Sequence, residues 1–304
     1  MKAFIPFGIT DSMVVSSTIS EPDTSEPAYD VATSYAEFAQ VSVVTTDSHL
    51  VYESLVSGNI GNPVTDATKW ILKGNTNKWR MFDYNQGNPS VGQSPFTVVL
   101  RPGRRVDSLM LDGLKASLLD ITVRNGIDGD IVYTLDGYLL SRDVNTFYGY
   151  FFAPFIYTKS VATFQIPPVA DPVIYLTLSD QSGLVELGRF AVGQSIHIGH
   201  IRWSPIVDSD NYSEIEWDAF GKSTLTPVPS IPTNELKVET DKVRLSAVRQ
   251  FRDQANAKAV VWSGMDDVVH PYQESLILFG VYRSFQIDIS NQALAVINLS
   301  LKGI

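Results

Sequence analysis

The sequence predicts a mainly β protein in three parts: a small aromatic-rich β module, an antiparallel β-sandwich of jelly-roll type, and a C-terminal α+β domain with one helix on an antiparallel sheet. Three observations predict it. Charged residues make up 18% of the 304, whereas 13 Tyr and 15 Phe are present, a balance that favours strands. β-prone runs recur at short intervals, punctuated by turn pairs such as Asn125-Gly126. Helical periodicity is strong in one stretch, after Asp241. The apolar fraction of 44% can fill cores at this length, which excludes wholesale disorder.

Residues 1–27 read as an extended N-terminal arm. A short apolar start gives way to Ser16-Ser-Thr-Ile-Ser-Glu-Pro-Asp-Thr-Ser-Glu-Pro27, whose two prolines oppose a helix. Such an arm either docks on a neighbour by strand addition or frays. Residues 28–83 read as the small module, with strands at Val41-Ser-Val-Val-Thr-Thr46 and Leu50 to Val56 joined through Asp47-Ser-His49. Residues 84–205 carry the sandwich strands: Thr97–Leu100, Ser108–Leu111, Leu118–Val123, Ile131–Leu135, Val173–Leu178 and Leu184–Leu187. Asp136-Gly137, between Thr134 and Tyr138, reads as a hairpin turn. Residues 206–304 form the α+β domain. Tyr212 to Phe220 reads as a strand, and three prolines then precede the alternating Leu236-Lys-Val-Glu-Thr240. Asp241 is the expected N-cap of a helix that buries Val243, Ala247, Val248, Phe251 and Ala255. Further strands are expected at Ala259–Trp262, Leu276–Phe279, Ser284–Ile289 and Ala293–Leu301.

Charge and chemistry-bearing residues narrow the function. The net charge is −10 and the basic residues form only short pairs such as Arg104-Arg105, so the positive footprint of a nucleic-acid binder is missing. There are no cysteines, which removes disulfides. The start, Met1 to Gly8, lacks the apolar core of a secretory signal. No run reaches the roughly 20 apolar residues of a membrane helix. His197-Ile-Gly-His200 is the close pair among His49, His197, His200 and His270, but strand positions three apart face opposite sides, so no metal site is expected. The acidic pairs Asp128/Asp130, Asp208/Asp210 and Asp266/Asp267 suit turns as readily as calcium. Ser195 lacks the second glycine of a nucleophile elbow and reads as a strand residue. No cofactor and no catalysis are expected.

Four segments in a fixed order carry a resemblance. They are the arm ending at Ser17 to Glu21; the module with Thr33-Ser-Tyr-Ala36, Val51-Tyr-Glu-Ser-Leu55 and Pro63; Asn75-Thr-Asn-Lys-Trp-Arg-Met-Phe-Asp83; and Leu278 to Ile289 followed by Asn298-Leu-Ser-Leu-Lys-Gly303. The order resembles a family of structural proteins of tailed-bacteriophage tails. It implies a non-enzymatic virion component, made in the host cytoplasm, that serves as a baseplate or tail-tip adaptor linking the tail to fibres or receptor-binding parts. The implied partners are other tail proteins and copies of itself. The module is similar to small chitin- or cellulose-binding folds, which implies the alternative of host-glycan contact through Tyr35, Tyr52, Trp70 and Trp79, because sugar faces stack on exposed rings. Tyr29 stands where that module type opens with Trp, and Phe38-Ala-Gln40 stands in place of its Gly-Asp. A domain this small also needs rings for its own core.

Overall fold

The computed structural model describes residues 1–46, 48–85, 87–142, 144, 146–217, 219–265, 272–289 and 293–304. Strands take 49% of the chain and helical turns 10%, so the mainly β expectation holds. The sheets are antiparallel throughout the described residues, apart from an isolated bridge between Ala28 and Ser42.

The sandwich pairs a five-stranded sheet with a three-stranded one. The first runs Ile131–Tyr138, Leu118–Asn125, Pro172–Ser179, Phe96–Leu100 and Val14–Ser17; the second runs Ser160–Thr163, Ser108–Asp112 and Arg189–Gly193. Period-two alternation sends Phe96, Val98, Leu100, Ile121, Val123, Ile174, Leu176 and Leu178 inward against Leu109, Leu111, Phe190 and Val192. Gly126, at φ +93°, makes the turn between Leu118–Asn125 and Ile131–Tyr138. Asp136 and Gly137 make no turn. They continue that second strand opposite Asp120 and Leu119, because the turn at Gly126 had already reversed the chain.

The three-stranded sheet is covered on both faces. Met110, Ala162 and Ala191 point away from the sandwich core and meet Phe4, Val261, Ile277 and Phe279 of the C-terminal sheet. That explains why Ser108–Asp112 and Arg189–Gly193 are buried at every position. The C-terminal sheet has the order Ser195–His197, Lys2–Phe4, Val260–Ser263, Ile277–Asp288, Leu294–Gly303, Ile231–Asp241 and His200–Ile201, with Ile206–Asp210 also on Ile231–Asp241. Its far face carries the helix Leu245–Gln254, whose Val248 and Phe251, with Ala255, pack on Leu236, Val238, Trp262, Phe285 and Ile297. The edge strands of this sheet, Ser195–His197 and His200–Ile201, have only Ile198 and Gly199 between them, so the sheet curls until its two edges meet.

Several expected boundaries move. Residues 1–27 are extended but do not hang free: Lys2–Phe4 lies inside the C-terminal sheet, and Val14–Ser17 edges the sandwich. The buried Ala3, Phe4 and Ile19 are the apolar anchors that hold it. The sandwich ends at Gly193 and not at 205, because Ile196 and Ile198 belong to the helix-side core. A Cβ on Gly193 would sit 2.4 Å from the Phe4 ring, so glycine permits this handover between layers. The helix starts through a 3₁₀ turn, Lys242–Arg244, and the Asp241 side chain makes no capping bond. The tighter turn rotates Val243 outward, to 86% exposure, and Ala247 is exposed as well.

One buried arginine ties the layers. Arg189 donates from Nε to the Tyr84 carbonyl at 2.8 Å, pairs with Asp112 at 3.2 Å, reaches the Ile304 carbonyl, and lies 4.6 Å over the Phe279 ring. Burial lowers its pKa from the usual arginine value, with Asp112 and Asp83 opposing. Burial likewise pushes the Tyr84 hydroxyl up to about 12.

Candidate interaction surfaces

The module is a three-stranded sheet, Gln40–Thr45, Ser48–Ser54 and Trp70–Asn75. Its strands match the expected hairpin, with Thr45 opposite Ser48; Asp47 lies outside the described residues. Tyr35, Trp70 and Val41 form its core, with Tyr29, Tyr52 and Val64 packed around them. Trp70 is 2% exposed. Its edge contacts Tyr29 and Tyr35 at ring separations of 5.7 and 5.3 Å, and its Nε1 donates to the Asn62 carbonyl at 3.0 Å. Trp79 lies elsewhere, buried and stacked on His49 at 4.2 Å. The four expected sugar-stacking rings therefore form no platform: three of them, Tyr35, Trp70 and Trp79, are buried, and Tyr52 is half-buried. A module of this size has few apolar residues and spends its rings on its own interior. Its exposed large apolar side chains include Phe38 at 68%, with Val31, Ile60 and Leu72.

The segment Asn75–Asp83 serves as a lock for the arm. Glu21 accepts from Thr76 Oγ1 and from Trp79 Nε1 at 3.2 Å, and its other contacts are His49 Nδ1 at 2.9 Å and Lys78 at 3.7 Å. His49 Nε2 meets Asp11 at 2.6 Å. Glu26 pairs with Arg80 and accepts from the Asn77 amide at 3.0 Å. Asn77 also donates to Asp23 at 3.1 Å and bridges Val91 through both its amide atoms. Met81 enters the sandwich core and Phe82 stacks on Phe190. Two of the sequence signatures, the arm end and Asn75–Asp83, are thus each other's partners. Burial raises the Glu26 and Asp83 carboxyls, whereas the Ser25 amide lowers Asp23. Both nitrogens of His49 already face carboxylates, so this cluster is built to join segments and leaves no ring nitrogen open for a substrate.

The remaining chemical candidates resolve plainly. A turn at Gly199, φ +157°, brings His197 and His200 side by side at 5.2 Å, where strand alternation predicted opposite faces. No group of three or more metal-binding side chains occurs among the described residues. Asp210 is held by Arg283 at 2.6 Å and Lys302 at 3.0 Å. His270 and Asp266/Asp267 lie outside the described residues. Ser195 is a strand residue whose hydroxyl donates to Asp107 at 3.0 Å.

Two projecting features expose large apolar surface. The first is an aromatic knob between Leu140–Ser141 and Ile156–Tyr157, carried by the short helix Phe147–Phe152. Thr146 caps it by accepting from the Gly149 amide at 3.0 Å, and Arg142 lies 3.9 Å over Phe155. Phe147, Tyr148, Tyr150, Phe151, Phe152 and Phe155 all face solvent. The second is a ribbon, Glu214–Trp217 paired with Ser223–Thr226, in which every residue is exposed. Trp217 is 70% and Phe220 96% exposed. Elsewhere, an apolar cleft of about 740 Å³ is lined by Ile201, Trp203, Pro205, Val207, Met265 and Leu276. Sequence reading missed the knob and did not foresee that the ribbon strand would be naked. The available signal was Phe147-Tyr-Gly-Tyr-Phe-Phe-Ala-Pro-Phe155, dense in rings yet without the alternation of a half-buried strand.

The molecule belongs to the class of layered antiparallel β proteins with locked segments and projecting apolar surfaces. No family model matches the chain, and no curated protein matches it.

Proposed function

We propose that this chain is a non-enzymatic structural component of a phage tail, a baseplate or tail-tip adaptor that links the tail to fibres or receptor-binding parts. The observation that carries this reading is the pairing of a body of packed sheets with two projecting apolar features, the Phe147–Phe155 knob and the Glu214–Thr226 ribbon. Contiguous exposed apolar surface of this kind marks a protein–protein contact. The partners are other tail proteins and further copies of the chain, and the net charge of −10 keeps free copies soluble before assembly. The arm-to-lock contact supports the same reading, since it joins in one chain two segments that carry the resemblance to phage tail proteins.

Immunogold electron microscopy of purified virions, with particle mass spectrometry, tests the assignment. Label at the tail tip is expected. Absence of the protein from particles overturns it. Glycan contact is the second reading, and the exposed rings of Tyr148 and Tyr150 favour it at the knob, since the module rings are buried. Binding to host polysaccharide that is lost in Tyr148→Ala/Tyr150→Ala would establish that role.

A further inference from the structure

We infer that the outer face of the C-terminal sheet beside Trp203 is a binding groove for a neutral carbohydrate; this rests on the glycan-contact reading above and gives it a site away from the knob. The outer face of that sheet meets the sandwich through Val261 and Phe279. Further round, on Ile231–Asp241, Leu294–Gly303 and the second half of Ile277–Asp288, the same face is open to solvent. It carries Glu235, Ser300 and Ser284 in one cross-strand row, and Lys237, Asn298 and Gln286 in the next. A bulge makes these rows. The register shifts between Tyr282 and Ser284, which turns Phe285 and Ile287 into the helix-side core and Ser284 and Gln286 outward. Without the extra residue, alternation would drive Ser284 and Gln286 into that core.

The segment after His200–Ile201 walls the groove. Trp203, Ser204 and Ile206 line one side of a volume of about 390 Å³, within the range of small-molecule sites. Trp203 is 85% exposed. The Arg202 amide donates to the Lys237 carbonyl at 2.8 Å, which fixes the wall to the sheet. Beside the indole, Ser204 takes φ +98°. Serine is strained in that region, and such strain collects where a ligand is clamped.

The chemistry of the lining selects the ligand. A sugar offers an apolar face that stacks on an exposed ring, and a rim of hydroxyls that takes mixed donors and acceptors. The side chains of Glu235, Lys237, Ser284, Asn298 and Ser300 make no hydrogen bond or ion pair among the described residues, so their donors and acceptors are unspent. Charge selects a neutral sugar. Glu235 and Lys237 cancel, and Arg202 is held by Glu239 at 2.6 Å, which leaves no net positive charge to hold a phosphate or an acidic chain. Glu235 is the one carboxylate among the described residues that line the groove. Glycoside cleavage takes two, so the groove binds and does not cut.

The test applies the full chain to a printed array of neutral and acidic glycans, and then titrates the neutral glycan of strongest signal by calorimetry. Binding is expected. Trp203→Ala should weaken it about tenfold, and Trp203→Tyr, which keeps a stacking ring, should recover most of that loss. Lys237→Ala and Asn298→Ala should each weaken it about two- to tenfold, the worth of one hydrogen bond. Circular dichroism and the melting temperature check that the variants remain folded; Trp203 and Lys237 are exposed and Asn298 is half-buried. Binding that is lost in Tyr148→Ala/Tyr150→Ala but kept in Trp203→Ala places the contact at the knob, which overturns this site and leaves the glycan reading standing. Binding to acidic glycans alone, abolished by salt, likewise overturns the groove and spares that reading. A chain that binds no glycan on the array overturns both.

Discussion

Replacing Trp70 with alanine separates a core ring from a binding ring. Trp70 is 2% exposed and touches Tyr29 and Tyr35 edge to face. Truncating a buried Trp costs about 3–5 kcal/mol in transfer and cavity terms. The loss of two aromatic pairs, each about 0.5–1.5 kcal/mol, places Trp70→Ala in the upper part of that range. The Asn62 carbonyl keeps one donor, the Tyr29 hydroxyl at 2.8 Å, so no orphaned acceptor adds to the cost. A module of this size is worth only about 3–8 kcal/mol at 0.05–0.15 kcal/mol per residue. The substitution therefore removes most of its stability. Hydrogen exchange read by mass spectrometry should show strands Gln40–Thr45, Ser48–Ser54 and Trp70–Asn75 losing protection together, while Pro172–Ser179 in the sandwich keeps its own. Tyr52→Ala, at a half-buried site, should cost markedly less. A folded Trp70→Ala module with less than about 1 kcal/mol lost would refute the core assignment and the reasoning from burial behind it.

Other expected outcomes follow from named contacts. Glu26→Ala strips Arg80 of its buried partner and should cost about 3–5 kcal/mol in urea unfolding, with Glu26→Gln milder. Burial raises the Glu26 carboxyl, so the folded chain keeps a proton that the unfolded chain has released; this contribution is present below the ordinary glutamate value and is lost as pH rises through the folded one. Glu26→Gln should flatten that stretch of the pH–stability curve, and an unchanged slope would count against it. Gly280→Ala would put a Cβ 1.9 Å from the Lys302 carbonyl, in backbone that cannot step aside, so a loss of about 1–3 kcal/mol or more and a lower Tm are expected, whereas Gly137→Ala meets open space and should be tolerated. Phe151→Ser/Phe152→Ser, at exposed positions, should leave stability within about 0.5 kcal/mol and reduce incorporation into particles; normal incorporation would remove the knob from the assembly reading.

Local rhythm made much of this fold legible. The runs Thr97–Leu100, Ser108–Leu111 and Val173–Leu178 alternate or stay apolar because each covers a core, and all three are strands. The helix after Asp241 was readable from Val248, Phe251 and Ala255, but the leading 3₁₀ turn, which sets where Val243 points, left no periodic trace. Long-range partners were not readable. Lys2–Phe4 is too short to declare a register, and its neighbour Val260–Ser263 lies near the other end of the chain. The same limit governs the site residues. Aromatic composition located Tyr35, Trp70 and Trp79 in one region, but whether a ring faces water depends on what folds over it: here the module's own residues over Trp70, and the arm's Glu21 against Trp79. Asp136-Gly137 misled because a glycine pair signals a turn only where the backbone reverses, and Gly126 had done that ten residues earlier.

The placement of Lys2–Phe4 has a consequence for synthesis. The ribosome makes these residues long before either of their two flanking strands, Ser195–His197 and Val260–Ser263. The sandwich can close while translation continues, but the C-terminal sheet cannot, and Phe4 waits without the Val261 and Phe279 side chains that will bury it. Truncated products ending before residue 260 would carry an open sheet edge and an uncovered apolar face, the features that invite aggregation. Closure of the body is therefore tied to synthesis of Val260–Ser263, Ile277–Asp288 and Leu294–Gly303, and only a copy that has them has the sheet that carries the helix.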